Sequence, residues 1–134
     1  MFNVLLENIQ EHLSMLELAL ASSAKITVHA EKENLDGVVM ETENRERLVN
    51  IIGKIQSTVE DQINQLNAAL LTDGDIMILK SWFHDLSVWS DKMIELDKRT
   101  VEILGQQKEN TTKEIAQLFK SKEMFKGYNH SPKK

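Results

Sequence analysis

The stretch LVNIIGKIQSTVEDQINQLNAAL, residues 48–70, decides the fold class. Its apolar residues Leu48, Ile52, Ile55, Val59, Ile63, Leu66 and Leu70 recur at spacings of four and three, which keeps them on one face of a helix. Glu46, Asn50, Lys54, Gln56, Glu60 and Gln65 fall on the opposite face. Gly53 sits within the pattern without ending it, at a cost of about 1 kcal/mol against alanine, and marks an expected close helix contact.

Working outward, the same rhythm appears on both sides. Phe2, Leu6, Ile9, Leu13, Leu16, Leu20 and Ala24 form one stripe of a first helix, widened by Leu5, Met15 and Leu18 and expected to run to about Ala30. Asn34, Asp36 and Gly37 favour a turn near Glu33–Gly37, although Leu35, Val38 and Val39 would let a helix continue. On the far side, Thr72-Asp73-Gly74-Asp75 stops the second helix, and Thr72 with Asp75 has the form of a capping box. A third helix is then expected from near Asp75, with Leu79, Trp82, Leu86, Trp89, Met93, Leu96, Val101 and Leu104 close to a heptad seam.

Between Gly105 and Lys113 no residue is apolar. Thr111 followed by Glu114, just before Ile115, Leu118 and Phe119, reads as a second capping box opening a short fourth helix that ends at Gly127. A single helix over residues 75–126 would be roughly 78 Å long at the usual rise, more than either earlier helix covers. The chain therefore either breaks near Gly105–Thr112 or continues into an extension. The expected fold is all-α: an antiparallel bundle of three long helices over residues 1–110, with a C-terminal extension or fourth helix and a basic tail over residues 111–134.

Composition fits this class. One proline, five glycines and no cysteine among 134 residues exclude collagenous and loop-rich β chains, disulfide scaffolds, thiol nucleophiles and cysteine-bound zinc. Sixteen Lys and Arg against twenty-one Asp and Glu give a net charge of −5, which argues against a general nucleic-acid binder. The charge is uneven: Lys120, Lys122, Lys126, Lys133 and Lys134 against Glu123 make the last fifteen residues net +4. Glu7 and Glu11 stand where a basic leader would, and no apolar run approaches the ~18 residues of a membrane span. A cytoplasmic protein without membrane insertion is expected.

Little in the chain suggests catalysis. His12, His29, His84 and His130 are not paired at metal-binding spacing, and no carboxylate and histidine set repeats on two helices. No metal and no cofactor are expected. His84 in Trp82-Phe83-His84-Asp85 raises a phosphotransfer reading, but Leu86-Ser87-Val88 lacks the lysine and glycine that signature needs. Phosphate loops, nucleophile elbows and His-Glu-x-x-His are all missing, so no catalytic residue is assigned. Trp82 and Trp89, seven apart, read as core residues on the seam, with a partner-binding pair as the alternative. In the run Glu41–Arg47, Glu41/Arg45 and Glu43/Arg47 have the spacing of favourable i, i+4 pairs.

A family likeness gives that run more context. A long first helix with heptad leucines, a turn, Asn44-Arg45-Glu46-Arg47-Leu48 opening a second helix, a third long helix, and a lysine-rich end closing on Lys126-Gly127-Tyr128-Asn129 resemble the small export chaperones of the bacterial flagellar type III system, of the FliT and FlgN types. The resemblance implies a cytoplasmic, non-enzymatic protein that binds the C-terminal helical region of an axial subunit, such as the filament cap or hook–filament junction proteins. It would keep that subunit from assembling early and deliver it to the export gate. In such families the terminal helix can occupy the client site, and a tyrosine near the C-terminus helps dock to the export apparatus.

Carried onto this chain, Ile115, Leu118, Phe119, Met124 and Phe125 become the client-binding candidates, and Tyr128 with Lys122 and Lys126 the export-gate candidates. The same apolar residues would also suit a core-packed fourth helix, and Tyr128 a surface aromatic. A structural coiled-coil oligomer, such as a homodimer whose seams pair between chains, or a helical adaptor, is the alternative function.

Overall fold

The computed structural model describes the backbone of residues 2–130 and the side chains of residues 2–120. Three long helices account for most of it: α1 (Phe2–Glu31), α2 (Leu35–Asn64) and α3 (Asp73–His130), with one 3₁₀ turn at Ala68–Leu70. The chain divides into two units, Met1–Thr100 and Val101–Lys134.

The turn between α1 and α2 is only three residues long because one cap runs into the next. Glu33 takes the left-handed conformation with φ 58°. Asn34 N–H donates to His29 O at 2.9 Å and Glu33 N–H to Ala30 O at 3.1 Å, the paired bonds of a Schellman motif. Asn34 then caps α2, its Oδ1 accepting from Gly37 N–H at 3.0 Å. Gly37 thus lies in the first turn of α2 rather than in the connecting turn. A Cβ there would stand 2.6 Å from His29 Nδ1, so the glycine serves a close approach.

At its other end α2 stops at Asn64, short of the expected Leu70. Asn67 Oδ1 accepts from Ala69 N–H at 3.1 Å, diverting the backbone into the 3₁₀ turn and leaving Leu70 78% exposed. The capping box at α3 is present in full: Asp75 N–H donates to Thr72 Oγ1 and Thr72 N–H to Asp75 Oδ2, both at 3.1 Å. It sets the start of α3 at Asp73, two residues earlier than expected.

Two apolar clusters make the core of the first unit. Leu5, Ile9, Val59 and Trp82 form one, and Leu16, Ala19, Ile52 and Met93 the other, with Leu13 and Leu86 packed against both. Between α1 and α2, partners run in descending order, from Asn8 with Gln62 to Ser22 with Glu41. Between α1 and α3 they ascend: His12 with Trp82, Ser23 with Met93, Thr27 with Thr100.

The buried face of α1 is wider and more polar than a leucine stripe. Ser22, Ser23 and Thr27 are buried while Ala24, expected on the stripe, is exposed. A helix that meets two neighbours needs a broad inner face, and small hydroxyl side chains let it come close while their polar atoms find partners. Gly53 is also unlike its expectation: nothing lies within 4 Å of a Cβ built there, so it marks no helix contact.

The second unit is the remainder of α3. Its backbone is helical from Val101 to His130 without a break at Gly105–Thr112. Thr112 Oγ1 donates to Lys108 O at 2.8 Å, a bond made inside a helix. No capping box forms at Thr111, and the residues expected in a separate fourth helix belong to α3. Gln106 with Asn110 at 3.1 Å and Lys113 with Glu109 at 3.3 Å tie successive turns, which is how a stretch without apolar residues stays helical.

Candidate helix-binding surfaces

Ile115, Leu118 and Phe119 fall at i, i+3 and i+4 of α3 and share one face. They are 48%, 67% and 65% exposed, so they are not core residues of the described chain. The side chains of Lys122, Met124, Phe125, Lys126 and Tyr128 lie outside the described residues.

A second surface lies within the first unit, and the sequence did not point to it. A hollow of about 320 Å³ opens between α1 and α3, lined by Leu13, Leu16, Val88 and Trp89 with Glu17 and Asp85 as charged neighbours. Another of about 390 Å³ adjoins it, lined by Ala24 and Leu96 with Glu95 and Arg99. Leu20 and Lys92 border both, which makes one continuous groove. The sequence carried no distinct signal for it: Leu20 and Ala24 lie on the expected stripe of α1, and only their incomplete burial opens the groove.

Both tryptophans hold α3 to α1. Trp82 is 1% exposed, its indole N–H donates to His12 Nδ1 at 3.0 Å, and the two rings meet edge to face at 5.4 Å. Burial lowers the His12 pKa, against weaker opposing effects of Gln56 and Glu60. Trp89 donates its N–H to Leu16 O at 2.8 Å and forms part of the groove wall. A buried indole needs such a partner, and each finds one on α1.

The charged run 41–47 is wired differently from its spacing. Arg45 pairs with Asp97 of α3 at 2.7 Å rather than with Glu41. Glu41 accepts from Ser22 Oγ at 2.8 Å and Asn44 Nδ2 at 3.1 Å. The Ser22 hydroxyl, aided by Asn44, holds its carboxyl below the usual range despite some burial. No ion pair joins Glu43 to Arg47 among the described residues. The segment is thus a tie between helices, where cross-helix geometry prevails over weak i, i+4 pairing.

His84 is exposed on α3 beside exposed Asp85. Among the described residues, no group of three or more His, Asp and Glu side chains is placed to hold a metal, and no helix is long and apolar enough to cross a membrane.

The chain matches no protein-family model, no curated protein and no solved structure.

Proposed function

We propose that the chain is a non-enzymatic helix-binding protein, and that it acts as a cytoplasmic flagellar export chaperone for an axial subunit. The observation that carries the binding function is the exposed face of Ile115, Leu118 and Phe119. Large apolar groups held at helical spacing and open to water favour an amphipathic helix as partner, because burying both faces releases the same ordered solvent. The flagellar assignment rests on the resemblance in helix layout, the Asn44–Leu48 segment and the Gly127-Tyr128 end. In this reading the chain is a three-helix bundle, with α2 antiparallel to α1 and α3, a sense supported by the descending and ascending order of the partners.

The client is the C-terminal helical region of a filament cap or hook–filament junction protein, and Tyr128 with Lys122 and Lys126 serves the export gate. A pull-down with the full-length chain against axial subunits tests this. One such subunit is retained, and Leu118→Glu with Phe119→Glu weakens its binding by about tenfold or more while helix content and unfolding midpoint stay unchanged. Retention of no axial subunit, or equal retention by the doubly substituted chain, rejects the proposal.

A further inference from the structure

The exposed face of the second unit does not begin at Ile115. Val101, Leu104, Lys108, Thr111, Ile115 and Leu118 follow one another at spacings of three and four on continuous helical backbone, so they form one stripe about 26 Å long at the helical rise. Val101 is 68% exposed, Leu104 is half-buried, and Lys108 and Thr111 are exposed. The stripe is thus apolar at both ends with one cation between them. Among the described residues no ion pair joins Lys108 to a carboxylate, while Lys113 and Glu109, which pair with each other, lie off the stripe.

We infer that the partner of this surface is a helix of another protein whose own stripe runs apolar, acidic, apolar, with an Asp or Glu set against Lys108. A lysine stem lies along apolar neighbours while its ammonium stays at their edge, and a helix that covers the stripe must either supply a carboxylate or leave that charge unpaired as water is excluded. One charged position inside an apolar seam also sets the register of the pairing. A second copy of this chain does not meet the need, because no position of the stripe is acidic. Laid parallel and in register, it sets Lys108 on Lys108. Laid antiparallel with Val101 on Leu118 and Leu104 on Ile115, it sets Lys108 on Thr111. This partner chemistry rests on the helix-binding reading of the face and adds to it what the bound helix must carry.

Three dye-labelled, alanine-based helical peptides of about 20 residues test it, alike in a leucine stripe and differing only at its centre, which is Glu, Gln or Lys. By fluorescence anisotropy the full-length chain binds the Glu peptide about tenfold more tightly than the Lys peptide, with Gln between them, and added salt narrows the gap. Lys108→Glu, at an exposed position, reverses the order while helix content stays unchanged. Equal binding of the three peptides, or an order that Lys108→Glu leaves as it was, overturns the inference and leaves the helix-binding reading intact. Binding of none of them overturns both. A chain that sediments at twice its 15.4 kDa mass and becomes monomeric in Leu118→Glu holds its own copy on this face, which also overturns the inference.

Discussion

Trp82 of α3 donates its indole N–H to Nδ1 of His12 on α1, 3.0 Å away, inside the apolar cluster of the first unit. That bond assigns the ring proton of neutral His12 to Nε2, which is also buried. Protonation of Nδ1 would remove the acceptor that Trp82 needs and place a charge where burial opposes it.

Acid should therefore weaken the fold through this pair. The folded His12 pKa lies below its ordinary 6.5, with burial the largest cause and Gln56 and Glu60 of α2 opposing it. Above pH 6.5 the ring is neutral in both folded and unfolded chains and the pair contributes fully. As pH falls below 6.5, the unfolded chain takes up the proton first, and stability declines by up to about 1.4 kcal/mol per pH unit until the folded ring also titrates. Urea midpoints measured from pH 7.5 downward check this. His12→Gln should lose the decline that the unaltered chain shows as pH falls below 6.5, and an unchanged slope would count against it.

Two glycines should respond to alanine in opposite directions. Gly53 and Gly37 both lie in α2, but a Cβ at Gly53 meets nothing within 4 Å, whereas one at Gly37 runs into His29 and Asn34 at 2.6 to 2.7 Å. Gly53→Ala should raise stability by about 0.5–1 kcal/mol, the ordinary helix propensity difference. Gly37→Ala should lower it, since the ring of His29 and the Asn34 cap must both shift. Thermal unfolding of the two variants side by side gives the comparison.

Glu33 should be improved by glycine. Its φ of 58° is a conformation that costs an L side chain about 1 kcal/mol or more and costs glycine almost nothing. The side chain is exposed. Glu33→Gly should gain up to about 1 kcal/mol after the greater freedom of its unfolded chain is subtracted, read as a higher urea midpoint with an unchanged slope.

Thr27 and Thr100 should not be equivalent to valine substitution. Thr27 Oγ1 donates to Ser23 O at 3.2 Å and lies 2.8 Å from Thr100 Oγ1, so Thr100 is the donor between them. Thr100→Val leaves Thr27 with its carbonyl partner and should cost under about 1 kcal/mol. Thr27→Val strands the Thr100 hydroxyl in a buried site and should cost about 1–3 kcal/mol. Equal losses in chemical denaturation would contradict this order.

How much of this was readable beforehand varies by element. The helices of α1 and α2 and the Thr72 cap follow from local spacing and side-chain chemistry, and both were expected close to where they lie. The end of α2 was misplaced because Leu66 and Leu70 keep the period after the backbone has left it. At Gly105–Thr112 the pattern left a break and a continuing helix equally open, because the stretch has no apolar residue. Continuity there depends on polar ties such as Lys113 with Glu109, which a hydrophobic pattern does not register. His12 was passed over as an unpaired histidine, since its meaning depends on Trp82, seventy residues away. The α1/α3 groove was equally hidden, because it is made by which apolar residues stay unpacked.

Both tryptophans of the chain sit on α3 and find their polar partners on α1, while the α1–α2 hairpin closes through a three-residue turn and contains none. Indole emission is therefore blind to the hairpin and sensitive to the arrival of α3. In a refolding experiment, far-ultraviolet ellipticity follows helix growth anywhere in the chain, but the fluorescence change times one event, the docking of the last helix on the first. A lag between the two signals would measure how long the hairpin waits for its third helix.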